Sequence, residues 1–357
     1  MSLNTKAFAI NHPPAPTAEW EQVRSLLLYY GWNTMACQIL APEIHYWFPA
    51  QQDAVIGYVP VGHTWVVAGA PICALERLGA VAHAFVTSAT QQHRRVCYIG
   101  AQDRFLQGVF GTMHQAYLLL GAQPIWNPQH WPTIPARKAS LRAQLARARN
   151  KGVEVDVLGA DLGGQRAALQ HCFQEWQAGR GLPPLQFLVA PDILGRTSNR
   201  RILLARQAQT IVAYLVLVPI AARKGWLIEQ IVRSRAAPNG TAELLIDWAM
   251  QMVASEGAVY ITMGLSPLTF HRVPTAIQPP PLLRVLMRWM QDAGQRWYNF
   301  AGLEAFKSKF QPHAWEPIYA LSAERRLSLR TLHTIAGAFC GMSPELFLVQ
   351  AMLRMAC

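Results

Sequence analysis

Four charged residues in the second half of the chain have the types and spacing that acyl transfer requires. Glu229 and Arg233 lie on one short segment, and Lys307 and Lys309 lie on another. A carboxylate can take a proton from an attacking hydroxyl or amine, and a cation can stabilise the oxyanion that develops on a carbonyl. We therefore expect Glu229, Arg233 and Lys309 to be catalytic and Lys307 to contact a substrate. The alternative for each is a structural ion pair.

The segment that carries Glu229 is predicted to be a buried strand over residues 225–233. Side chains of a strand alternate between its two faces, so Glu229, Ile231 and Arg233 should share one face. Gln230 should lie on the other face, where we expect it to contact a substrate.

A glycine turn follows this strand and leads into a helix predicted over residues 242–256. The turn contains Asn239 and Gly240, and Glu243 lies in the first turn of the helix. Free N–H groups at a helix N-terminus bind anions, and a glycine lets the ligand approach the backbone closely. We expect all three residues to bind substrate. The alternative is an ordinary turn with Thr241 as the N-cap.

Two further segments contain residues suited to a binding site. One is the glycine-bearing loop after a strand predicted over residues 258–263, and the other is the lysine- and aromatic-rich segment over residues 302–321. The substrate-binding residues expected in these two segments are Gly264, Ser266, Lys307, Trp315 and Glu316.

A helix predicted over residues 137–152 carries six basic residues and no acidic residue. Solvated helices usually mix both signs of charge, so this pattern favours contact with an anion. Lys138, Arg142 and Arg149 lie close together on one face, and we expect them to contact an anionic partner. A merely basic surface helix is the alternative.

The composition favours a polyanionic partner and a well-packed globular protein. Of 357 residues, 52% are hydrophobic and 15% are charged, and the formal net charge is +12. Such a charge suits nucleic acid, an anionic membrane surface or a phosphorylated cofactor. The six cysteines form no C-x-x-C pair, so we expect no disulfide framework, no metal site and a reducing, cytoplasmic location. Residues 1–17 do not resemble a signal peptide, and the apolar run 211–222 is too short to span a bilayer.

Strands and helices alternate along the chain, which indicates an α/β fold. In the first half we expect helices over 19–31, 74–87 and 102–120, strands within 55–72 and over 95–99, and a connection over 124–135. In the second half we expect strands over 153–158, 201–206 and 211–219, and helices over 161–179 and 282–293.

The two halves have a coarsely similar order of elements, which predicts tandem, duplicated N-acetyltransferase-like domains with mixed central sheets flanked by helices. We expect a disordered tail over 1–18, a first domain over 19–135, the basic helix over 136–152, a second domain with the site over 153–325 and a helical tail over 326–357. The helical tail suits an interfacial membrane contact, docking on the core or contact with a protein partner.

Three blocks of the second half, residues 227–246, 263–268 and 302–321, resemble the C-terminal domains of phosphatidylglycerol lysyltransferases. These enzymes move an amino acid from aminoacyl-tRNA to a membrane lipid. The resemblance spans roughly residues 25–322. It implies a tandem N-acetyltransferase-like fold, a pocket for the aminoacyl end of tRNA and a passage for the lipid. The lipid-modifying members have an Asp three residues before the strand arginine, where this chain has Gln230, and glutamine cannot act as a base.

The leading hypothesis is therefore an aminoacyl-tRNA-dependent aminoacyltransferase that acts on a phosphatidylglycerol-like lipid or another hydroxyl or amine acceptor. It would use aminoacyl-tRNA as co-substrate, with Lys138, Arg142 and Arg149 contacting the tRNA. It would need no cofactor and act peripherally at the inner face of the membrane. One alternative uses a coenzyme A thioester, with Asn239 and Gly240 holding the pyrophosphate. The other is a non-catalytic binding or assembly subunit, which Gln230 favours.

Overall fold

The computed structural model describes residues 17–109, 116–159, 162–178, 199–273 and 300–324, with a few single positions between 328 and 337. The predicted helix over 282–293, most of the predicted N-terminal tail and most of the helical tail lie outside the described residues.

The first half contains five helices and five strands in its described part. In chain order they are α1 (Ala18–Tyr30), β1 (His45–Trp47), β2 (Ile56–Val61), β3 (Thr64–Ala68), α2 (Leu78–Gln91), β4 (Arg95–Ala101), α3 (Asp103–Val109), β5 (Ala116–Trp126), α4 (Thr133–Arg137) and α5 (Ala139–Asn150). A short 3-10 helix, Ala36–Leu40, follows α1.

The second half continues the alternation. Its described elements are β6 (Val153–Val157), α6 (Arg166–Ala178), β7 (Arg201–Gln207), β8 (Thr210–Ile220), β9 (Gly225–Arg233), α7 (Thr241–Ser255), β10 (Tyr260–Thr262), β11 (Ser266–Pro267), α8 (Phe300–Ser308) and β12 (Ala314–Ser322).

All twelve strands in the described ranges belong to one sheet. Its order is β1-β2-β3-β4-β12-β5-β10-β9-β8-β7-β6, and β11 pairs with β5. The parallel pair β3 and β4 is connected through α2, and the parallel pair β9 and β10 is connected through α7. This repeated strand–helix–strand unit confirms the duplicated acetyltransferase-like fold. The units exchange strands, because β12 pairs with β4 while β5 pairs with β10. The division into two domains stays a prediction.

Alternate residues of β8 point to opposite sides of the sheet. Val216 packs in the cluster that contains α6, and Val218 packs in the cluster that contains the 3-10 helix Ala36–Leu40. Leu215 and Leu217 pack in the cluster that contains α5 and α7. We call these the α6 side and the α7 side of the sheet.

The helix predicted over 102–120 is wrong in its second part. Helix α3 ends at Val109, and the eleven residues Ala116–Trp126 form β5. Strand β5 lies between β12 and β10 and is mostly buried, so its sequence is a nearly continuous apolar run without the alternation of a half-exposed strand. The predicted connection consequently begins after Trp126.

Several other predicted elements are confirmed within a few residues. Helix α5 matches the basic helix predicted over 137–152, and α7 matches the helix predicted over 242–256. The hairpin strands β7, β8 and β9 match their predicted positions.

Candidate active site

Strand β9 contains a β-bulge at Glu229. On the neighbouring strand β8, Val216 pairs with Gln230 and Leu217 pairs with Ile228, so Glu229 is the extra residue. A bulge inserts one residue into a strand and interrupts the alternation of its side chains.

The bulge brings Glu229 to the α6 side of the sheet. Its carboxylate accepts a hydrogen bond of 2.8 Å from Gln38 of the 3-10 helix, whereas Ile231 packs on the α7 side. The expectation that Glu229, Ile231 and Arg233 share one face is therefore wrong. Position 230 also faces the α6 side, because its partner Val216 does. The Glu229 carboxylate thus lies on the side toward which an Asp at position 230 would point.

Arg200 binds the Glu229 carboxylate through two hydrogen bonds. Arg200 Nε lies 2.7 Å from Glu229 Oε2, and Arg200 Nη2 lies 3.0 Å from Oε1. The two side chains are only 5% and 9% exposed, so this is a buried ion pair. With Gln38 as a third donor, the carboxylate is held in one orientation.

The parallel pairing of β9 and β10 is short and leaves a gap beyond it. The pairing covers Gly225–Leu227 of β9 and Tyr260–Thr262 of β10. Beyond Leu227, β9 continues to Arg233 with hydrogen bonds to β8 on its other edge. The chain after β10 turns to β5 instead, through β11. Among the described residues, no strand pairs with this edge of β9 beyond Leu227, which makes the gap a candidate place for a substrate to approach the strand.

Lys307 of α8 reaches the β10 edge of this gap. Its Nζ lies 2.9 Å from the carbonyl oxygen of Gly264 and 2.9 Å from that of Leu265. Lys307 is buried, and burial lowers the pKa of its ammonium to about 7. Gly264 has a positive φ of +68°, and its turn presents these two carbonyl groups to the lysine. A buried lysine with such a pKa can exchange a proton near neutral pH.

Lys309 forms an ion pair with Glu243 of the first turn of α7. The lysine side chain is 25% exposed and the carboxylate 10%. This pair connects the segment after α8 to α7. The structure thus joins two pairs of predicted site residues, Lys307 with Gly264 and Lys309 with Glu243, and places Glu229 in a separate cluster.

The turn before α7 is packed closely against α5. Gly240 has a φ of +96° and is the N-cap of α7, and a Cβ built on it would lie 2.1 Å from the carbonyl oxygen of Gln144. Asn239 beside it is exposed. Thr241 is therefore not the N-cap, and its hydroxyl donates to the carbonyl of Pro238. Glycine at position 240 permits helix packing here.

Ser266 and Arg233 have few partners among the described residues. Ser266 on β11 is buried, and its Oγ has no hydrogen-bond partner within the described ranges. Arg233 is exposed at the end of β9, and no ion pair or side-chain hydrogen bond of Arg233 occurs in the described part of the chain. Both groups therefore have donor capacity to spare for a ligand.

Glu316 is the centre of a polar network on β12. Its Oε2 accepts hydrogen bonds from Gln102, Gln123 and Tyr260 at 2.9–3.1 Å. Arg223 donates to both carboxylate oxygens, at 2.9 and 2.5 Å. Burial opposes ionisation of Glu316, but the bonds and charge of Arg223 outweigh it and hold the pKa of Glu316 below its usual value. Trp315 beside it is half-buried near Arg272.

Sequence reasoning missed most of the partners in these clusters. Gln38, Arg200, Arg223 and Tyr260 are distant in sequence from the carboxylates that they bind. The one available signal was the carboxylates themselves, because a carboxylate that is buried and ionised requires a cation or hydrogen-bond donors beside it.

The predicted tRNA-contacting residues, two on α5 and one just before it, have different surroundings. Arg142 donates to the carbonyls of Pro135 and Ala136 at the end of α4. Arg149 pairs with the buried Asp247 of α7 at 3.0 Å, although its own side chain is 55% exposed. Lys138 is half-buried, and no side-chain hydrogen bond of Lys138 occurs in the described part of the chain. Two of the three residues thus also stabilise the fold.

Among the described residues, no helix has both the length and the apolar character needed to cross a membrane.

Comparison with known proteins assigns the chain to a family. A model of the phosphatidylglycerol lysyltransferase C-terminal domain matches residues 24–322, and the chain belongs to this family. No curated protein shows significant sequence similarity to the chain.

Solved structures agree with this assignment at the level of the fold. The C-terminal domain of an Agrobacterium fabrum protein assigned as a lysylphosphatidylglycerol synthetase is 20% identical, with a TM-score of 0.75, covering 92% of this chain and 98% of its own. L-PGS from Bacillus licheniformis is 20% identical, with a TM-score of 0.73, covering 96% and 98%. FemX is 8% identical, with a TM-score of 0.57, covering 88% and 96%.

Proposed function

We propose that the protein transfers an amino acid from aminoacyl-tRNA to a phosphatidylglycerol-like lipid. The observation that carries this proposal is the buried Lys307, held by two backbone carbonyls at the edge of the gap between β9 and β10. The family of the chain and its structural neighbours, one of which is assigned as a lysylphosphatidylglycerol synthetase, support the substrate class.

Because the aminoacyl ester of tRNA is already an activated acyl donor, the main requirement of the reaction is proton transfer. The acceptor hydroxyl attacks the ester carbonyl, a new ester bond forms, and the bond to the 3′-oxygen or 2′-oxygen of the tRNA ribose breaks. The proton of the acceptor must leave and the ribose oxygen must gain one. A lysine with a pKa of about 7 is suited to relay this proton, because both of its forms are populated at neutral pH.

Glu229 supplies the carboxylate in this proposal. The bulge in β9 places the Glu229 carboxylate on the side of the sheet that position 230 faces. Glu229 can therefore take the place of the Asp that the lipid-modifying members have where this chain has Gln230. Arg200 and Gln38 fix its orientation. In this orientation its negative charge suits the α-ammonium of the aminoacyl group. Arg233 and Lys309 lie toward the end of β9 and the start of α7, where they can contact phosphate or the developing oxyanion.

The proposed donor and the membrane that holds the acceptor are both anionic, which suits a protein with an excess of basic residues. The basic helix α5 and Lys138 beside it would contact tRNA phosphates, and an excess of basic residues favours an anionic membrane surface. The protein would thus act peripherally on the membrane.

A coenzyme A donor fits the turn before α7 poorly. The backbone of α5 lies against Gly240, where a pyrophosphate would have to approach, and Glu243 in the first turn of α7 is already paired with Lys309. These contacts favour aminoacyl-tRNA over an acyl-coenzyme A donor.

The experiment that tests the proposal uses purified protein, vesicles of phosphatidylglycerol and a pool of tRNA charged with labelled amino acids. Label should enter the lipid fraction from aminoacyl-tRNA, and labelled acetyl-coenzyme A should give none. Transfer from acetyl-coenzyme A alone would contradict the proposal, and absence of any transfer by folded protein would favour a non-catalytic subunit.

A further inference from the structure

A short segment after β10, residues 264–272, contacts helix α8 at both of its ends. At its start, the carbonyls of Gly264 and Leu265 accept the two hydrogen bonds of Lys307. At its end, the segment forms a 3-10 helix, Phe270–Arg272, whose last side chain also reaches α8. The segment that supplies the partners of Lys307 therefore holds the helix of Lys307 at a second place.

The second contact is made with the Glu304 carboxylate of α8. Arg272 Nε donates to Glu304 Oε1 at 2.9 Å, and His271 Nε2 lies 3.0 Å from the same oxygen. Arg272 Nη2 also donates to the hydroxyl of Ser308 at 3.4 Å. Residues 304 and 308 are about one helical turn apart, so Arg272 binds a single face of α8. The Glu304 side chain is only 17% exposed, and solvent therefore screens this pair less than it screens a surface pair.

Helix α8 depends on such contacts for its position. It has nine residues, and a helix of this length is not stable in water without tertiary packing. Phe306 packs α8 into the cluster that contains α5 and α7. Glu304 and Ser308 lie on either side of Lys307 along the helix, and Arg272 binds both of them to the segment that supplies the carbonyls.

The orientation of Lys307 matters for proton transfer. A neutral lysine amine has two N–H groups and one lone pair, and the carbonyls of Gly264 and Leu265 accept both N–H groups. The lone pair then points away from the two carbonyls, in a direction set by where α8 places the side chain. A shift of α8 would misdirect the lone pair and admit water to a buried amine.

We propose that Arg272, acting through Glu304, is a positioning residue that holds α8 so that Lys307 faces the acceptor in the gap between β9 and β10. Its role rests on the proposed function, in which Lys307 relays the proton. His271 supports the contact as a second partner of the carboxylate, and the Trp315 ring lies beside Arg272, with its centre 5.8 Å from the guanidinium carbon.

The first test is hydrogen exchange of the backbone amides of α8 in the full chain, which does not require transfer. Glu304→Ala should speed exchange in α8 by about fivefold or more, although alanine itself favours a helix more than glutamate does. The matched control is Arg77→Ala, which removes a partly exposed ion pair with Asp53 in the first half of the chain and should leave α8 unchanged. Equal exchange by wild type and Glu304→Ala would overturn the proposal.

The second test is the pH dependence of single-turnover transfer by wild type and Glu304→Ala. Removing a nearby carboxylate lowers the pKa of a lysine, whereas admitting water raises it, so the two effects have opposite signs. We expect the pKa of Lys307, about 7 in the wild type, to rise toward its usual value of 10.5. The transfer rate at neutral pH should fall about tenfold, with tRNA affinity unchanged. A pKa that falls or stays the same would leave Glu304 with no positioning role.

Further variants separate the outcomes. Arg272→Lys should keep most of the wild-type rate, because Arg272 binds Glu304 through a single N–H group, and Arg272→Ala should match Glu304→Ala. Arg94→Gln, which removes a charge in the first half of the chain, should transfer as the wild type does. A wild type that transfers no amino acid would overturn the proposed function and the role of Arg272 together. A wild type that transfers, with Glu304→Ala equally fast, would overturn the role of Arg272 alone.

Discussion

The guanidinium of Arg200 holds the carboxylate of Glu229 in a buried ion pair, with Nε and Oε2 2.7 Å apart. Arg200 immediately precedes β7 and Glu229 lies on β9, and Gln38 from the first half of the chain completes the cluster. The cluster therefore connects the bulged strand to an element that the sequence places far away.

We predict that the folded protein depends strongly on the buried ion pair of Arg200 and Glu229. Arg200→Gln should lower the free energy of unfolding by about 3–5 kcal/mol, because it leaves the Glu229 charge buried without a counter-charge. The exposed pair of Arg201 and Glu256 provides the control, and Arg201→Gln should cost less than about 1 kcal/mol. Urea denaturation measures both. A similar cost for the two variants would show that burial does not couple the Arg200 pair.

The pKa of Lys307 predicts a pH-dependent stability. Burial lowers the pKa from 10.5 to about 7 in the folded protein, so between these values the unfolded chain binds more protons than the folded one. The free energy of unfolding should therefore rise with pH across this window, by at most about 1.4 kcal/mol per pH unit from this group. Lys307→Met should remove that rise.

The matched control for this prediction is Lys224→Met, which changes an exposed lysine in the turn before β9. It should leave the pH dependence as in the wild type. Denaturation curves at a series of pH values from neutral upward give the comparison. A wild-type and a Lys307→Met protein with parallel stability curves would contradict the lowered pKa.

Replacing Gly240 should lower the stability of the protein, because α5 packs directly against it. Gly240→Ala combines a positive φ, which costs about 1–2 kcal/mol, with overlap on the Gln144 carbonyl, which costs about 1–3 kcal/mol more. Gly152→Ala is the control, because Gly152 also has a positive φ but has nothing within 4 Å of its added Cβ. Thermal unfolding should show the larger loss for Gly240→Ala. Equal losses would mean that α5 shifts freely to admit the methyl group.

Binding of tRNA should depend steeply on salt and on α5. Lys138→Gln should reduce the slope of log affinity against log salt by about 1 if the lysine contacts one phosphate. Arg149→Gln should reduce stability as well as affinity, because Arg149 pairs with the buried Asp247. Filter binding over a range of salt concentrations provides the slopes. Arg94→Gln should retain the wild-type slope, and an affinity that is flat with salt would exclude phosphate contacts.

The sequence predicts the elements around the site better than it predicts their contacts. The basic helix and the hairpin strands follow from periodicity and glycine stops, which are local signals. The sequence does not indicate strand β5, whose first residues fall in the helix predicted over 102–120, because a mostly buried strand shows no alternation. The bulge at Glu229 was also missed, since period-two reasoning assumes an uninterrupted ladder.

The partners of the candidate residues were beyond sequence reasoning for a different reason. Arg200 and Gln38 meet Glu229 only because non-adjacent segments pack together. The exchange of β5 and β12 between the two units likewise brings Gln102, Gln123 and Glu316 together, and no local pattern specifies that exchange. The lowered pKa of Lys307 depends on its burial, which a lysine-rich segment does not indicate by itself.

The most direct test of the proposed function is single-turnover transfer from aminoacyl-tRNA to phosphatidylglycerol vesicles by wild type, Lys307→Met and the control Arg94→Gln. Loss of the proton relay should slow transfer by Lys307→Met by about 100-fold or more, with tRNA binding and folding retained. Arg94→Gln should transfer at the wild-type rate. Transfer by folded Lys307→Met at the wild-type rate would contradict the central role of this lysine.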